Sequence, residues 1–295
     1  MFKVFLGIIM VTLIWGYSWV TMKIAISDIP PFLFSALRLL IAAIPLFIIL
    51  IIQRKKLLID KKNFQNYLLI SLFMSLGYMA ILTYGLQFVD SGKTSVLVYT
   101  MPIFVVIISH FKLDEKIDIY KMIGLISSLL GLTFILGLEI INSDMKVILG
   151  EILILVSAFI WGIANVFSKI KLKNTDVIHM TAWQLLIGSL FLFILSLLLE
   201  PNHSIEWTRN ALFSLLFNGL FSTAFTFVVW FWVLQKINAS KASMALMFVP
   251  ILGILFGWLQ LGENITMSIV LGTLFICAGI FMNTYNFKRN RKVSN

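Results

Sequence analysis

Ten apolar runs, each long enough to cross a membrane as a helix, follow one another along this chain of 295 residues. Roughly 20 apolar residues in a helix span the hydrocarbon core of a bilayer. Runs near that length lie at 4–26, 31–52, 66–88, 93–111, 119–138, 148–169, 178–199, 211–235, 240–261 and 265–286. Only 12% of the residues are charged, about half the share found in soluble domains. The sequence therefore predicts an all-α integral membrane protein with ten transmembrane helices, and it excludes a soluble enzyme and a disulfide scaffold.

The net charge of +10 is explained by the loops on one side of this arrangement. With ten spans both termini lie on the same side, and 18 of the 23 Lys and Arg residues fall there, against Lys93, Lys146 and Arg209 on the other. Because basic loops stay inside, we expect both termini in the cytoplasm and the protein in the plasma membrane. The charge then requires no nucleic acid. The expected partners are the lipid bilayer and a small-molecule substrate, while a monomer and a homodimer both remain open.

The two halves of the sequence repeat one another, as residues 1–138 and 148–286. At an offset of 146, Trp15-Gly16 and Lys23 match Trp161-Gly162 and Lys169; at an offset of 148, Pro102, Glu115, Gly124 and Gly131 match Pro250, Glu263, Gly272 and Gly279. Each half has five spans, an odd number, so the second half enters the membrane in the opposite orientation. Inverted repeats of this kind are typical of secondary transporters that bind substrate near the midplane. A duplicated structural bundle is the alternative.

The repeated segments resemble EamA-type transporters of the drug/metabolite transporter superfamily. The resemblance rests on the Trp-Gly and Lys pattern in LIWGYSWVTMK and FIWGIANVFSK, and on the Pro, Glu and Gly pattern of VPILGILFGWLQLGENITMSIVLGTLFICAGI. It covers nearly the whole chain and implies a ten-helix metabolite carrier, often an exporter of amino acids or drug-like compounds. The first half departs from the second at Asp114, where the second has Gly262.

Polar and aromatic residues on the first helix of each half are the leading candidates for a substrate site. Trp15, Trp19 and Lys23 share one helical face, and Trp161 and Asn165 share another, as their spacing of four residues requires. Such stripes avoid lipid and face protein or a watery cavity. Packing is the alternative for the tryptophans. Snorkelling to the interface is the alternative for Lys23, and it is the favoured interpretation for Lys169.

Arg38 lies roughly 10 Å inside the second span, a depth at which a charge marks a functional or a paired site. Its repeat mate is Gln184, and the structural alternative is an ion pair with Asp28 in the preceding loop. The remaining substrate-site candidates supply rings, hydroxyls and amides that suit small neutral, zwitterionic or mildly cationic solutes. They are Tyr78, Tyr99, Gln184, Thr226 and Trp230.

Two further pairs occupy matching positions in both halves. Pro102 and Pro250 fall about halfway along the fourth and ninth spans, where a proline kinks or breaks a helix, so they are candidate hinges or static kinks. Glu115 and Glu263 precede the fifth and tenth helices. A carboxylate there complements a positive helix N-terminus, so both are predicted to be structural caps.

Cofactor and catalytic motifs are not expected. His110, His179 and His203 are too far apart for a metal site, Cys277 stands alone, and no Asp or Glu lies mid-span. Proton-driven carriers usually place a carboxylate or histidine there, so either coupling uses a group that the sequence does not reveal, or the protein is an exchanger or facilitator. The alternatives are an intramembrane enzyme acting on lipid-linked substrates, a non-transporting membrane sensor, and a channel.

Overall fold

The computed structural model describes residues 2–113, 117, 119–137, 144–201, 204–239, 242, 246 and 248–285. The regular secondary structure of these residues is helical. The helices are α1 (Phe2–Asp28), α2 (Pro31–Ile52), α3 (Lys61–Leu86), α4 (Ser91–Leu113), α5 (Ile119–Gly137), α6 (Met145–Lys171), α7 (Val177–Leu199), α8 (Arg209–Lys236), α9 (Val249–Leu261) and α10 (Met267–Tyr285).

Seven of these helices, α1–α4 and α6–α8, are long and apolar enough to span a membrane. The apolar stretches described in α5, α9 and α10 are shorter, at Met122–Ile135, Val249–Leu261 and Met267–Gly279. Many large apolar side chains point outward, among them Leu197 at 75% exposure and Leu274 at 61%. An exterior of this kind requires lipid as its solvent, so the chain is a multi-pass membrane protein.

Most helix boundaries lie within a few residues of those predicted from hydropathy. The third helix is the exception, because it begins at Lys61 and not at residue 66. Its first turn is polar, so a search for apolar runs leaves that turn out of the predicted helix. The backbone of this turn is nevertheless helical. The ninth helix is described from Val249, while most of residues 240–248 lie outside the described part of the chain.

Among the described residues, α3, α4 and α8 depart from regular α-helical winding within their length, and α9 ends in a π-helical turn, Gly257–Leu261. α3 contains a π-helical segment, Phe73–Ala80, and α8 contains another, Phe217–Phe225. α4 is interrupted between Val98 and Met101. Wide turns and breaks leave backbone groups outside the regular i to i−4 pattern, and they are frequent at functional sites.

Helices α5 and α10 form a pair of their own at the side of the bundle. Glycines allow this close crossing. A methyl group added at Gly272 would lie 2.7 Å from the carbonyl oxygen of Gly131, and one added at Gly131 would lie 2.5 Å from the carbonyl oxygen of Gly272. Small residues at a crossing let two membrane helices approach backbone to backbone.

Polar contacts at the two ends of the bundle join the first half of the chain to the second. At one end the Thr208 hydroxyl donates to the Asp28 carboxylate at 2.5 Å, and Glu206 N donates to Asp28 O at 2.9 Å. At the other end Lys55 forms an ion pair with Asp176. Burial opposes ionisation of the Asp176 carboxyl, but hydrogen bonds from Lys55 and from the His179 backbone hold its pKa below the ordinary value. These contacts place one set of helix ends at each end of the bundle, as expected when successive helices run in opposite directions.

Candidate functional site

A small cavity with buried walls lies where α1 meets α2, α6 and α8, the π-helical segment of α3 and the interrupted part of α4. Its walls are formed by Trp15, Ser18, Trp19, Met22, Arg38, Tyr78, Tyr99, Trp161 and Phe227. The space available to the centres of water molecules is about 20 Å³, which is room for about one water. A larger solute therefore enters only if these walls move apart.

Aromatic rings make up most of the cavity wall. Trp15 on α1 and Trp161 on α6 meet edge to face with their ring centroids 5.6 Å apart, and Tyr78 stacks on Trp161 at 4.9 Å. Tyr99 meets Trp161 at 6.0 Å and Trp19 at 6.3 Å. Rings in such edge-to-face and stacked arrangements attract one another beyond their burial. The first helices of the two halves thus contact each other through their repeated tryptophans.

The Trp15 side chain is also held by a hydrogen bond. Its Nε1 donates to the carbonyl oxygen of Ser222 at 3.0 Å, inside the π-helical segment of α8. The indole N–H groups of Trp19 and Trp161, in contrast, are buried without an acceptor among the described residues. An unpaired buried donor is costly, so these two groups are available to a ligand that supplies an acceptor.

Arg38 brings a positive charge to the cavity, and its side chain is only 4% exposed. Nε donates to the Thr223 hydroxyl at 2.6 Å, and Nη2 donates to the Ser222 hydroxyl at 3.3 Å. The structural alternative from the sequence, an ion pair with Asp28, is wrong, because Asp28 lies at the end of α1 and accepts from Thr208 instead.

Four of the predicted site residues are buried but do not line the cavity. Trp230 Nε1 donates to Asn165 Oδ1 at 3.0 Å, and the Trp230 ring lies 5.7 Å from Trp15. Thr226 Oγ1 donates to Ser222 O at 2.6 Å, within its own helix. The Gln184 amide is buried, and neither of its polar atoms has a hydrogen-bond partner among the described residues. None of these four residues lines the cavity.

Lys23 and Lys169 occupy equivalent places away from the cavity. Lys23 Nζ donates to the carbonyl oxygens of Leu86 at 2.7 Å and Val89 at 2.8 Å, at the end of α3. Lys169 Nζ donates to those of Leu234 at 2.8 Å and Ile237 at 2.5 Å, at the end of α8. A cation complements the negative end of a helix. Lys23 therefore does not line the cavity, and Lys169 likewise binds carbonyls and does not simply snorkel.

The predicted hinge and cap residues lie at helix starts. Pro102 and Pro250 are each the second residue of a helical stretch, Met101–Leu113 and Val249–Phe256, where a proline costs no hydrogen bond. Glu263 accepts from Ser91 N at 2.6 Å and Gly92 N at 2.8 Å. It therefore caps α4 in the other half of the chain and not the α10 helix that follows it. Glu115 lies outside the described residues.

Sequence reasoning missed the residues whose role depends on the winding of α8 and on contacts between the halves. Ser222 and Thr223 both reach Arg38 because the wide turn presents consecutive hydroxyls to it. Met22, Ser18 and Phe227 line the cavity without any polar pattern to mark them. The ion pair between Lys93 and Glu151, 2.6 Å long, joins α4 to α6 with both side chains buried. Among the described residues, no three His, Cys, Asp or Glu side chains are grouped to hold a metal.

Comparison with known proteins identifies the family of this chain. The sequence model of the family described as "EamA-like transporter family" matches the chain twice, at residues 2–137 and 148–285. The chain belongs to the EamA-like transporter family. The sequence resemblance is thereby confirmed.

Relatives within the family carry transporter names. "Uncharacterized transporter YoaV" of Bacillus subtilis is 63% identical over 99% of this chain and 100% of its own length. "Probable amino-acid metabolite efflux pump" of Escherichia coli is 23% identical over 97% of this chain and 96% of its own length. A solved structure titled "Crystal structure of protein" superimposes with a TM-score of 0.76, covering 97% of this chain and 98% of that chain at 16% identity. The two chains therefore share one fold over nearly their whole length.

Proposed function

We propose that this EamA-like protein is a secondary transporter that exports a small organic metabolite, such as an amino acid or a drug-like compound. The single observation that carries the proposal is the small cavity in the middle of the bundle. Its wall brings Trp15 of the first half against Trp161 of the second. A solute held there is shielded from both membrane faces until one face opens.

The proposed mechanism is alternating access between two inverted five-helix repeats, residues 1–138 and 148–286, with ten membrane spans in total. The two segments matched by the family sequence model support this division, as do the equivalent contacts of Lys23 and Lys169. Rocking of one half against the other would open the cavity first to one side and then to the other.

The proposed location is the plasma membrane, with both termini in the cytoplasm. The loop at 53–60 carries Lys55 and Lys56, and it lies at the same end of the bundle as the start of α7. The opposite end, around Asp28 and Thr208, has fewer basic residues. The excess of Lys and Arg at one end supports this orientation by the positive-inside rule.

Counterflow in proteoliposomes tests the transport proposal. Vesicles preloaded with a mixed amino-acid pool should take up a labelled amino acid in a saturable way that depends on the internal pool. Trp15→Ala should reduce that uptake at least tenfold, because it removes the ring that joins α1 to Trp161 and its hydrogen bond to α8.

The matched control is Trp207→Ala, since Trp207 lies on the surface at 52% exposure and its loss should leave uptake unchanged. Uptake that never saturates would favour a channel. No uptake of any amino acid would move the search to lipophilic cations and other metabolites. Equal uptake by Trp15→Ala and wild-type protein would contradict the role of the cavity.

A further inference from the structure

We propose that the central cavity binds the carboxylate of an organic monoanion on Arg38. This inference rests on the proposed transport function and specifies its substrate class. It begins from the charge of the wall: of the nine described residues that line the cavity, Arg38 alone is charged. Elsewhere in the described part of the chain, Lys93 pairs with Glu151 and Lys55 pairs with Asp176. Both of these ion pairs involve a cation other than Arg38.

The buried charge of Arg38 is energetically costly, and an anionic ligand would lower that cost. A buried cation without a carboxylate partner is strongly destabilising, and the partners that Arg38 finds in the protein are neutral. Two of them, Thr223 and Ser222, are hydroxyls on the Nε and Nη2 side of the guanidinium. Hydroxyls satisfy N–H groups but do not neutralise a charge.

The Nη1 side of the guanidinium faces methionine sulfurs, which are weaker partners than the hydroxyls. Nη1 lies 2.7 Å from the sulfur of Met22 and 3.6 Å from that of Met79. A thioether is a weak acceptor, and a methionine side chain is flexible enough to move aside. Met22 also lines the cavity, so a carboxylate that enters the cavity would replace its sulfur. The planar guanidinium would then bind that carboxylate through paired hydrogen bonds.

The other unsatisfied polar groups of the wall match the same ligand. The indole N–H groups of Trp19 and Trp161 are buried without acceptors, and both are donors. Together with Nη1 of Arg38 they form a wall that offers donors to an acceptor-rich group. The rings of Trp15 and Tyr78 offer an apolar surface for the remainder of the molecule.

Charge balance then selects among organic solutes. A monoanion neutralises Arg38, whereas a zwitterion leaves the cavity with a net positive charge and a cation adds to it. Removing the ammonium group from an amino acid should therefore strengthen binding, and removing the carboxylate should abolish it. Export of a monoanion would also be favoured by a potential that is negative inside, by about 50-fold per 100 mV.

Three compounds that share a phenylethyl group test this selection by isothermal titration calorimetry with the purified full-length protein. They are 3-phenylpropionate, phenylalanine, which adds an ammonium group, and phenethylamine, which has the ammonium but no carboxylate. We expect 3-phenylpropionate to bind at least tenfold more tightly than phenylalanine and phenethylamine not to bind. Three outcomes would each overturn the proposal. The first is tighter binding of either ammonium compound, and the second is binding of chloride that no carboxylate competes with. The third is a lack of binding by aromatic, branched and straight-chain carboxylates alike.

Substitution of Arg38 provides the second test. Arg38→Gln introduces the residue that the repeat carries at 184 and should weaken binding of 3-phenylpropionate at least tenfold, while Arg38→Lys should retain part of it. Arg209→Gln, at the exposed start of α8, should bind as wild type does. Unchanged binding by a folded Arg38→Gln protein would overturn the anion site. If Arg38→Gln does not fold, the three-compound comparison with wild-type protein still decides.

The outcomes separate this proposal from the transport function. Binding of 3-phenylpropionate without saturable flux of it in proteoliposomes would uphold the anion site and contradict transport. Saturable flux of compounds that lack a carboxylate, undiminished in Arg38→Gln, would contradict the anion site and uphold transport. Efflux that an inside-negative potential accelerates for 3-phenylpropionate but not for phenylalanine would support both.

Discussion

At the scale of single residues, several charged side chains of the described residues complete helix ends. Glu263 binds two backbone N–H groups of α4, and Glu200 accepts from Phe32 N at 2.9 Å and Leu33 N at 3.0 Å at the start of α2. Lys23 does the equivalent for carbonyl groups at the end of α3. Lipid offers no hydrogen bonds to the backbone groups at a helix end. A charged side chain near the membrane edge therefore supplies the hydrogen bonds that water supplies in a soluble protein. Arg38, by contrast, lies in the cavity wall with hydroxyl partners, and that contrast is what makes it a candidate ligand-binding group.

Glu263→Ala should lower the thermal stability of the purified protein. It removes two charge-assisted hydrogen bonds from a helix start, worth about 1–3 kcal/mol together. Thermal unfolding in detergent measures the change as a lower melting temperature. Glu206→Ala, at an exposed position on the same side of the bundle, is the matched control and should unfold as wild type does. Equal melting temperatures for all three proteins would show that the cap contributes nothing.

At the scale of elements, hydropathy predicted which segments are helices but not how they are wound. Ten runs predicted ten helices, because apolar length is a property of composition that a window can count. The π-helical segments in α3 and α8 were not predictable, since Phe73–Ala80 and Phe217–Phe225 look as apolar as their neighbours. Trp15 and Trp161 were identified from a repeat in the sequence, whereas Thr223 reaches Arg38 only through the wide turn.

The α5–α10 pair gives a prediction at this scale. Gly272→Val should push the two helices apart, because even the first added carbon would lie 2.2 Å from the Ile135 side chain. Overpacking of this kind costs about 1–3 kcal/mol. Hydrogen–deuterium exchange should rise in α5 and α10 and stay unchanged in α1 and α6.

The control for this prediction is Leu274→Val on the outward face of the same helix, where the side chain is 61% exposed. It should leave the exchange of every helix as in wild-type protein. If the exchange of α5 stays low in Gly272→Val, the glycine crossing is not what holds the pair together.

At the scale of the whole molecule, contacts between the two halves close both ends of the bundle around the cavity. Thr208 binds Asp28 at one end, and Lys55 binds Asp176 at the other. The buried ion pair of Lys93 and Glu151 adds a third link. Alternating access requires that contacts at one end break while those at the other persist, so a permanent link between the halves should stop the cycle.

A reversible disulfide tests this requirement. Asp28→Cys and Thr208→Cys, combined with Cys277→Ser, place two thiols where the side chains already touch. Oxidation should abolish counterflow, and reduction should restore it, because the bond ties α1 to the start of α8. Each single cysteine variant should remain active under both conditions. Full counterflow with a complete crosslink would contradict movement of the halves at this end.

Two helices of the first half of the chain are capped by glutamates of the second half, and this affects how the protein folds during synthesis. The N-terminal turns of α2 and α4 donate backbone N–H groups to the carboxylates of Glu200 and Glu263, which the ribosome adds more than 150 positions later. Until then these N–H groups lack their carboxylate acceptors. The first five helices therefore emerge as an unfinished assembly, and its completion waits for the last quarter of the chain to be synthesised.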